Sequence, residues 1–522
     1  MDNMTSVKNR YQSLELQREV YLERARESSK LTIPTLIPEE STGSHTRFST
    51  PYQGIGARGV NNLSAKLLLA LLPPNAPFFR LRIQDFVIKE LDQDESMKTD
   101  IETGLGEIER AIQTNIETSA DRVAIFEALK HLIVGGNVLL YVADNGLRVF
   151  HLDRYVIRRD PMGNVQEIIT RETLSPRTLT PEVAKLIAGQ ITEDEKTIEL
   201  FTYVCRKGNK FEVYQEVKGI IIPSSKGKFD VDKTPFIPLR WNRIDGEDYG
   251  RGFVEEYLGD LQSLEGLTQA IVEGSSASAK VLFMVAPNGT TRASSIAQSP
   301  NGAIIEGSAQ DISVLQVNKF ADFRIAYDTM QRIEQRLQYA FLLNASVQRN
   351  AERVTAEEIR FMAEELEDTL GGTYAMLSQE FQLPFIQRKM SIMQKNKELP
   401  ELPKTVSPQI VTGLEALGRG NDKNKLVNFI QTLGQFLGAE VVQKYVNIDD
   451  AISRLATADG IDTKGLVKTK EELMAEEQQQ MMAMQQQQAM SKGIDVAGNV
   501  AGNVDPNSLD PQAIAEAINQ AT

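Results

Sequence analysis

Three glycines near the N-terminus have the spacing of a phosphate-binding turn. The run GIGARG at residues 54–59 spells G-x-G-x-x-G, and a leucine-rich helix is predicted directly after it. In dinucleotide-binding folds such glycines let the backbone approach a pyrophosphate, but a buried strand must precede them. Here the preceding residues are TRFSTPYQ, which are polar and interrupted by Pro51. We therefore favour the alternative that the glycines only turn the chain sharply into the helix.

Other residue types with catalytic or metal-binding chemistry do not form a recognisable pattern. The three histidines show no H-E-x-x-H spacing, and Cys205 has no histidine near it in the sequence. No G-x-x-x-x-G-K-[ST] motif occurs, which argues against a P-loop motor. Acid pairs such as Glu364–Glu365 are adjacent on a predicted helix, and adjacent helical side chains point apart. The sequence predicts no catalytic residue, no cofactor and no metal site.

A helix built for little burial is predicted in VQRNAERVTAEEIRFMAEELEDTLGG, residues 347–372. Thr355 and Glu358 form a T-x-x-E capping box, and two glycines supply the C-terminal stop. The apolar residues follow one narrow stripe, so most of the helix surface is charged. The charged residues we single out are Glu357, Glu358, Arg360, Glu364, Glu365 and Asp368, with Arg349 and Arg353 ahead of the helix.

This acidic helix has two interpretations. It is either an ordinary solvated surface helix or a wall that faces water and a polyanion. The bulk composition bounds the choice, because the 522 residues are 41% hydrophobic and carry a net charge of −14. An acidic chain does not hold nucleic acid through a broad basic patch. The single cysteine excludes an intrachain disulfide and fits a reducing cytoplasm, and no apolar run approaches the roughly 20 residues of a membrane span.

Residues 1–245 are predicted to form an α+β unit. Asn145-Gly146 marks one β-hairpin, since both turn positions favour positive φ, and TIELFTYVCRKGNKFEVYQEV reads as a second. The predicted helices are 7–30, 57–72, 96–119 and 121–134, and the further strands are 78–83 and TPFIPLRW.

Two long helices, 252–279 and 320–344, are predicted to form a stalk, with short β-like pieces (VLFMVA, GAIIEG and ISVLQV) between them at its tip. Each has one modest apolar stripe, so neighbouring copies of the chain are expected to supply further contacts. The first helix would be about 40 Å long at 1.5 Å per residue. It carries five acids and no base before Lys280: Glu255, Glu256, Asp260, Glu265 and Glu273. C-terminal to the acidic helix we predict a helix at 373–396, a Pro-rich linker at 399–408, helices within 409–470 and a low-complexity tail.

Four blocks of the sequence resemble a known family. They are TPYQGIGARGVNNLSAKLLLALLPP (50–74), FIPLRWNRIDGEDYGRGFVEEYLGDLQSLEGLTQAI (236–271), NASVQRNAERVTAEEIRFMAEELEDTLGGTYAMLSQEFQLP (344–384) and TGLEALGRG (412–420). In order and content they resemble the portal, or head-to-tail connecting, proteins of short-tailed podoviruses of the autographivirus type. The similarity covers roughly residues 10–470.

The resemblance implies an α+β, predominantly helical portal fold that assembles as a ring with a central channel, typically a 12-mer. The implied parts are the wing (1–245), first stem helix (246–280), clip (281–319), second stem helix (320–344), channel loop (345–354), channel-lining helix with return to the wing (355–400), crown (401–475) and a disordered low-complexity tail (476–522). Arg349 and Arg353 would lie on the channel loop, the acidic helix would line the channel, and the five acids of 252–279 would lie on the stem.

The resemblance also implies a function and its partners. The ring would be a structural conduit for packaging and ejecting double-stranded DNA, without sequence specificity, at the capsid portal vertex of the virion. It would dock the terminase large subunit transiently and a short-tail adaptor afterwards, and contact major capsid, scaffolding and internal core proteins, after assembly in the host cytoplasm. No membrane and no enzyme activity are expected.

An acidic lining suits such a conduit for a physical reason. Duplex DNA carries about one charge per 1.7 Å of axis, so a basic bore would bind it tightly. An acidic bore repels it, and the repulsion is short-ranged at a screening length of about 8 Å. Two other hypotheses remain open at this stage, namely a nucleotide-dependent enzyme that uses Gly54, Gly56 and Gly59, and a scaffold or adaptor without a DNA conduit.

Overall fold

The structure is a computed structural model in which residues 6–39, 46–74, 78–83, 95–187, 189, 196–278, 282–315, 320–343, 366, 369–403, 406–410, 418–438, 446, 451–452 and 455 are described. The chain divides into two compact units, Met1–Leu417 and Gly418–Thr522. In the first unit the helices are α1 (Val7–Lys30), α2 (Ile55–Leu71), α3 (Glu95–Thr118), α4 (Asp121–Gly135), α5 (Pro181–Ile187), α6 (Phe253–Glu256), α7 (Leu258–Ser278), α8 (Ala293–Gln298), α9 (Phe320–Ala340), α10 (Gly372–Leu377) and α11 (Leu383–Lys395). In the second unit α12 spans Gly418–Leu437.

The strands of the first unit form antiparallel sheets. They are β1 (Phe79–Ile83), β2 (Asn137–Ala143), β3 (Gly146–Phe150), β4 (Tyr155–Arg159), β5 (Val165–Leu174), β6 (Ile198–Lys207), β7 (Lys210–Val217), β8 (Ile220–Asp230), β9 (Phe236–Arg240), β10 (Leu282–Val285), β11 (Ile312–Leu315) and β12 (Val406–Ile410). A three-stranded sheet has the order β3-β2-β9, and a five-stranded sheet runs β4-β5-β6-β7-β8. Both predicted hairpins are confirmed, as β2–β3 and β6–β7.

Three strands of the five-stranded sheet, β4, β5 and β8, were not predicted. The edge strand β8 contains Pro223 and Gly227, residues that weaken a strand pattern in the sequence. An edge position tolerates the missing N–H of proline, and the register to β7 shifts between Val213 and Gln215. The sheet therefore extends through a segment whose sequence reads as a loop.

The main core lies around α2 and α4. On α2 the side chains of Val60, Leu63, Leu67 and Leu71 are fully buried, at positions that share one helix face. Full burial of each such side chain contributes about 1.5–3 kcal/mol. The predicted stop after α4 is confirmed at Gly136, which has φ +70, and a Cβ there would lie 2.3 Å from the Arg251 carbonyl carbon.

The first long helix of the predicted stalk differs from the prediction of one helix over 252–279. It breaks at Tyr257, which leaves helical dihedrals (φ −111, ψ 12) between α6 and α7. The Tyr257 ring lies 5.1 Å from the Phe253 ring and 6.1 Å from the Phe341 ring. Tertiary aromatic packing thus accounts for a break that the apolar periodicity does not reveal.

The segment between α7 and α9 is only partly as predicted. β10 and β11 pair antiparallel, from Leu282↔Leu315 to Val285↔Ile312, which confirms two of the three β-like pieces. The third, GAIIEG, is not a strand, and Ile304 within it is fully exposed. Its β-prone side chains have no neighbouring strand to pair with among the described residues.

The C-terminal part of the first unit returns to the main core. The predicted helix over 373–396 is confirmed as α10 and α11, joined by a π-helical turn at Ser378–Gln382. That turn precedes Pro384, whose missing N–H has no place in an uninterrupted helix interior. The prediction of a linker over 399–408 and helix from 409 is wrong at 406–410, because β12 pairs with β1, Phe79 opposite Ile410.

Candidate functional site

The structure describes only part of the predicted site. All the residues predicted to lie on the channel loop or to line the channel are outside the described residues. They are Arg349, Arg353, Glu357, Glu358, Arg360, Glu364, Glu365 and Asp368. The five acids predicted for the stem are described, and so are the two helices that carry them.

Helices α7 and α9 pack side by side as an antiparallel helical hairpin, residues 258–340. Asp260 pairs with Arg336 near the base, Thr268 Oγ1 donates to Met330 Sδ further along, and a Cβ on Gly274 would lie 2.4 Å from the Phe323 ring. Near its base the hairpin buries Leu261, Leu264, Ile333 and Leu337, as the predicted stripes require. Towards its tip burial declines, and Val272 and Ile325 are 46% and 68% exposed.

Three of the stem acids lie near the base of the helical hairpin and have partners there. Glu255 faces Arg251 at 3.4 Å, and Glu256 accepts a hydrogen bond from Asn242 Nδ2 at 2.6 Å. Asp260 lies 2.5 Å from Arg336 Nη2 on α9. The two ion pairs, Glu255–Arg251 and Asp260–Arg336, are partly exposed, so each contributes about 0–1 kcal/mol. Burial raises the pKa of the neighbouring Tyr257, and the charges of Glu256 and Asp260 add to that shift.

The other two stem acids differ from each other. Glu265 binds backbone rather than a side chain, because its carboxylate accepts the N–H of Tyr52 at 2.9 Å and the N–H of Gln53 at 3.1 Å. Glu273 is exposed, and its contact in the described part of the chain is a hydrogen bond from Gln269, one helical turn away, at 2.8 Å. The negative field of α7 is therefore weaker than its acid-only sequence suggests, and it is least compensated near Glu273.

Two glycines of the pattern at 54–59, Gly56 and Gly59, are used for packing. No strand occurs in residues 46–54, and α2 begins directly at Ile55. A Cβ on Gly56 would lie 2.5 Å from the Leu31 carbonyl oxygen, and one on Gly59 would lie 2.5 Å from Phe341 Cγ. Protein atoms therefore occupy the space that a pyrophosphate would need, and the hypothesis of a dinucleotide site here is wrong.

The end of α9 holds a contact that the sequence did not reveal. Asn62 Nδ2 donates to the Phe341 carbonyl at 3.1 Å and to the Leu342 carbonyl at 2.8 Å. The partners are separated by 279 and 280 residues, so no local pattern signals the contact. Leu342 itself has φ +53 and is buried. This junction immediately precedes the segment predicted to be the channel loop.

Two histidines meet in the core although the sequence does not pair them. The rings of His131 and His151 stack at 6.0 Å, and burial lowers their pKa values to about 3 and about 4. Both are therefore neutral at physiological pH. Within the described residues no group of three or more His, Cys, Asp or Glu is arranged to hold a metal ion. In the same residues no helix combines the length and apolar character of a membrane span.

Comparison with known proteins gives consistent matches over most of the chain. Residues 4–467 match the family described as bacteriophage head to tail connecting protein. The portal protein of Escherichia phage T7 is 41% identical over 501 residues, covering 93% of each chain. The portal proteins of Enterobacteria phage T3 and Pseudomonas phage phiKMV are 42% and 30% identical, covering 89% and 87% of this chain. These relatives confirm the resemblance found in the sequence blocks, and they are structural proteins, which confirms that no enzyme is to be expected.

Proposed function

The chain belongs to the bacteriophage head to tail connecting protein family, and we propose that its copies close into a ring whose bore conducts double-stranded DNA into and out of the capsid. The observation that carries this proposal is the family match over residues 4–467, which covers nearly all of the first compact unit and the first part of the second. The ring would lie at the portal vertex of the virion. It would dock a terminase during packaging and a tail adaptor afterwards.

The helical hairpin supports a ring because it is incompletely packed on its own. Towards its tip Val272, Ile325 and Tyr327 are 46%, 68% and 47% exposed on the two helices. Apolar side chains left exposed on both helices of a packed pair are candidates for contact with other chains. In a closed ring the neighbouring hairpins would cover them, and a heterologous interface of this kind generates a ring when the rotation closes.

The acidic helix supports a DNA conduit rather than a DNA clamp. Its acids at 357–358 and 364–365 repeat after seven residues, which is two turns of the predicted helix, so we expect them to favour one side of it. A negative surface beside a duplex repels phosphates and releases no counterions on contact, so affinity stays low and sliding is unhindered. Arg349 and Arg353 precede this helix and would make the brief phosphate contacts that resist backward slip.

The experiment reverses the charge of the two loop arginines. We expect Arg349→Glu with Arg353→Glu to leave ring assembly intact and to shorten the genome length retained in particles. A control with the same charge change, Arg177→Glu with Lys185→Glu, alters exposed side chains of residues 176–187 and should leave retained length unchanged. Full-length genomes in the loop variant would contradict the role of these arginines.

A further inference from the structure

We propose that α2 is the joint that positions the channel segment, and that Asn62 and Gly59 are the residues through which it holds the end of α9. This rests on the proposed function only in assigning the residues after Leu343 to the channel. The glycine pattern GIGARG then has a mechanical role. It brings α2 close enough to α9 for the contact to form.

Asn62 on α2 caps the C-terminal end of α9. The last carbonyl groups of a helix have no partner within the helix. One side-chain amide, Asn62 Nδ2, donates to two successive carbonyls there, those of Phe341 and Leu342. Since only the amide NH₂ can donate, these acceptors fix the orientation of the Asn62 side chain. A single side chain on α2 thus sets where α9 ends.

The backbone at this end of α9 closes in a turn around Leu342. The N–H of Leu343 bonds to the Gln338 carbonyl at 2.8 Å and the N–H of Leu342 to the Tyr339 carbonyl at 3.1 Å. These two bonds form a Schellman motif with Leu342 at the left-handed position that glycine normally occupies. A strained, buried leucine persists only where its surroundings hold it. Asn62 is the side chain that holds it.

Helix α2 closely approaches the end of α9 at Gly59. Gly59 lies one turn before Asn62 on α2, and Phe341 packs against its bare Cα. The Phe341 side chain is fully buried and meets the Phe253 ring edge-on at 5.5 Å. Any residue larger than glycine at position 59 would push α9 away from Asn62. Gly59 and Asn62 therefore act as one contact.

The other arm of the helical hairpin, α7, is bound to the residues just ahead of α2. Glu265 on α7 accepts both the Tyr52 and Gln53 N–H groups just ahead of α2. Gln53 in turn accepts from the Gly56 N–H at 2.9 Å and donates to the Leu31 carbonyl at 2.6 Å. Both arms of the helical hairpin are thus anchored on α2 or on the residues just ahead of it, and α2 is packed into the core. We expect this anchorage to set the point from which the chain continues after Leu343.

The test measures the position of that segment within one chain. Cys205 is replaced by serine, and dyes are placed on Val123→Cys, which lies at an exposed site on α4, and on Ser346→Cys. A small share of labelled chains is assembled with excess unlabelled wild-type chains, so that the rings remain intact. Single-molecule energy transfer then gives the distance distribution between the dyes. Asn62→Asp, which replaces the donors with acceptors at constant shape, is compared with Asn61→Asp at the exposed neighbouring position.

We expect Asn62→Asp to raise the fraction of displaced segments about tenfold, equivalent to ~1.4 kcal/mol, and Asn61→Asp to leave it unchanged. Asn62→Ala should give a smaller shift of the same kind, because it removes the donor without adding repulsion. Identical distributions for Asn62→Asp and its parent, or equal shifts in both aspartate variants, would contradict the proposal that Asn62 positions the segment. Wild-type chains that form no ring would count against the proposed function. The same comparison of distance distributions in unassembled chains would still test whether Asn62 positions the segment.

Discussion

Replacement of Gly59 by alanine is the sharpest perturbation of the α2–α9 contact. The added Cβ would lie 2.5 Å from Phe341 Cγ, 2.8 Å from its Cδ1 and 2.9 Å from its Cβ. Phe341 has no room to swing aside, because it is fully buried and packs against the Phe253 and Tyr257 rings. The helices must therefore separate by several tenths of an ångström or more.

The free energy of this change has two opposing parts. Overpacking of a core contact costs about 1–3 kcal/mol. Replacing a helical glycine with alanine returns about 0.5–1 kcal/mol, since glycine loses more backbone entropy on folding. The net effect of Gly59→Ala is thus a destabilisation of about 1 kcal/mol, the middle of a range of about 0–2.5 kcal/mol, concentrated at the contact between α2 and α9.

Hydrogen exchange followed by mass spectrometry measures this local free energy. Amides of α2 and of the last turn of α9 should exchange about fivefold faster in Gly59→Ala, the factor that 1 kcal/mol produces. The matched control is Gly106→Ala in α3, where an added Cβ would meet nothing within 4 Å. That control should exchange at the same rate or more slowly. Equal protection of α2 and α9 in the two variants would refute the reasoning.

Other sites give predictions of known sign. At Leu342, where φ is +53, glycine should be more stable than alanine by about 1 kcal/mol in thermal unfolding, and an alanine variant that is as stable would refute the strain. Lys389→Ala breaks a buried ion pair with an aspartate on α4 and should cost about 3–5 kcal/mol, whereas Lys395→Ala, from an exposed pair, should cost about 0–1 kcal/mol; similar losses would contradict the burial argument. Burial lowers the pKa values of His131 and His151 from 6.5 to about 3 and about 4. Between these lowered values and pH 6.5 the unfolded state binds more protons than the folded state, so stability falls as the pH falls below 6.5. His131→Asn should flatten that slope by up to ~1.4 kcal/mol per pH unit, and an unchanged slope would disprove its part.

Features with local signals were predictable from the sequence. The hairpin at Asn145-Gly146 follows from a turn whose residues favour positive φ, and the end of α4 follows from Gly136. The stripes of α7 and α9 follow from apolar spacing, and Leu261 and Leu337 are buried as that spacing requires. In each case the physical cause lies within a few residues of its effect.

Features with distant partners were not predictable in this way. β12 exists because β1 supplies its hydrogen bonds, and the two strands are more than three hundred residues apart. The break at Tyr257 depends on Phe341, and β8 tolerates Pro223 only because it is an edge strand. Local propensity is a weak guide wherever tertiary contacts supply the stabilisation.

The candidate site shows the same division. The sequence located the acids of α7, but it did not reveal that Glu265 binds the Tyr52 and Gln53 backbone more than two hundred residues away. The glycines at 56 and 59 signalled a need for space, yet their sequence pattern does not tell what fills it. The structure identifies a carbonyl oxygen and the Phe341 ring as the occupants.

An electron cryomicroscopy reconstruction of the assembled protein tests the central claim most directly. We expect a closed ring with an axial hole wide enough for duplex DNA, with Glu357 and Glu364 on the wall of that hole. Protein that stays monomeric or dimeric at micromolar concentration would contradict it. A ring that carries these two acids on its outer rim, or packs them into a solid interior, would contradict it equally.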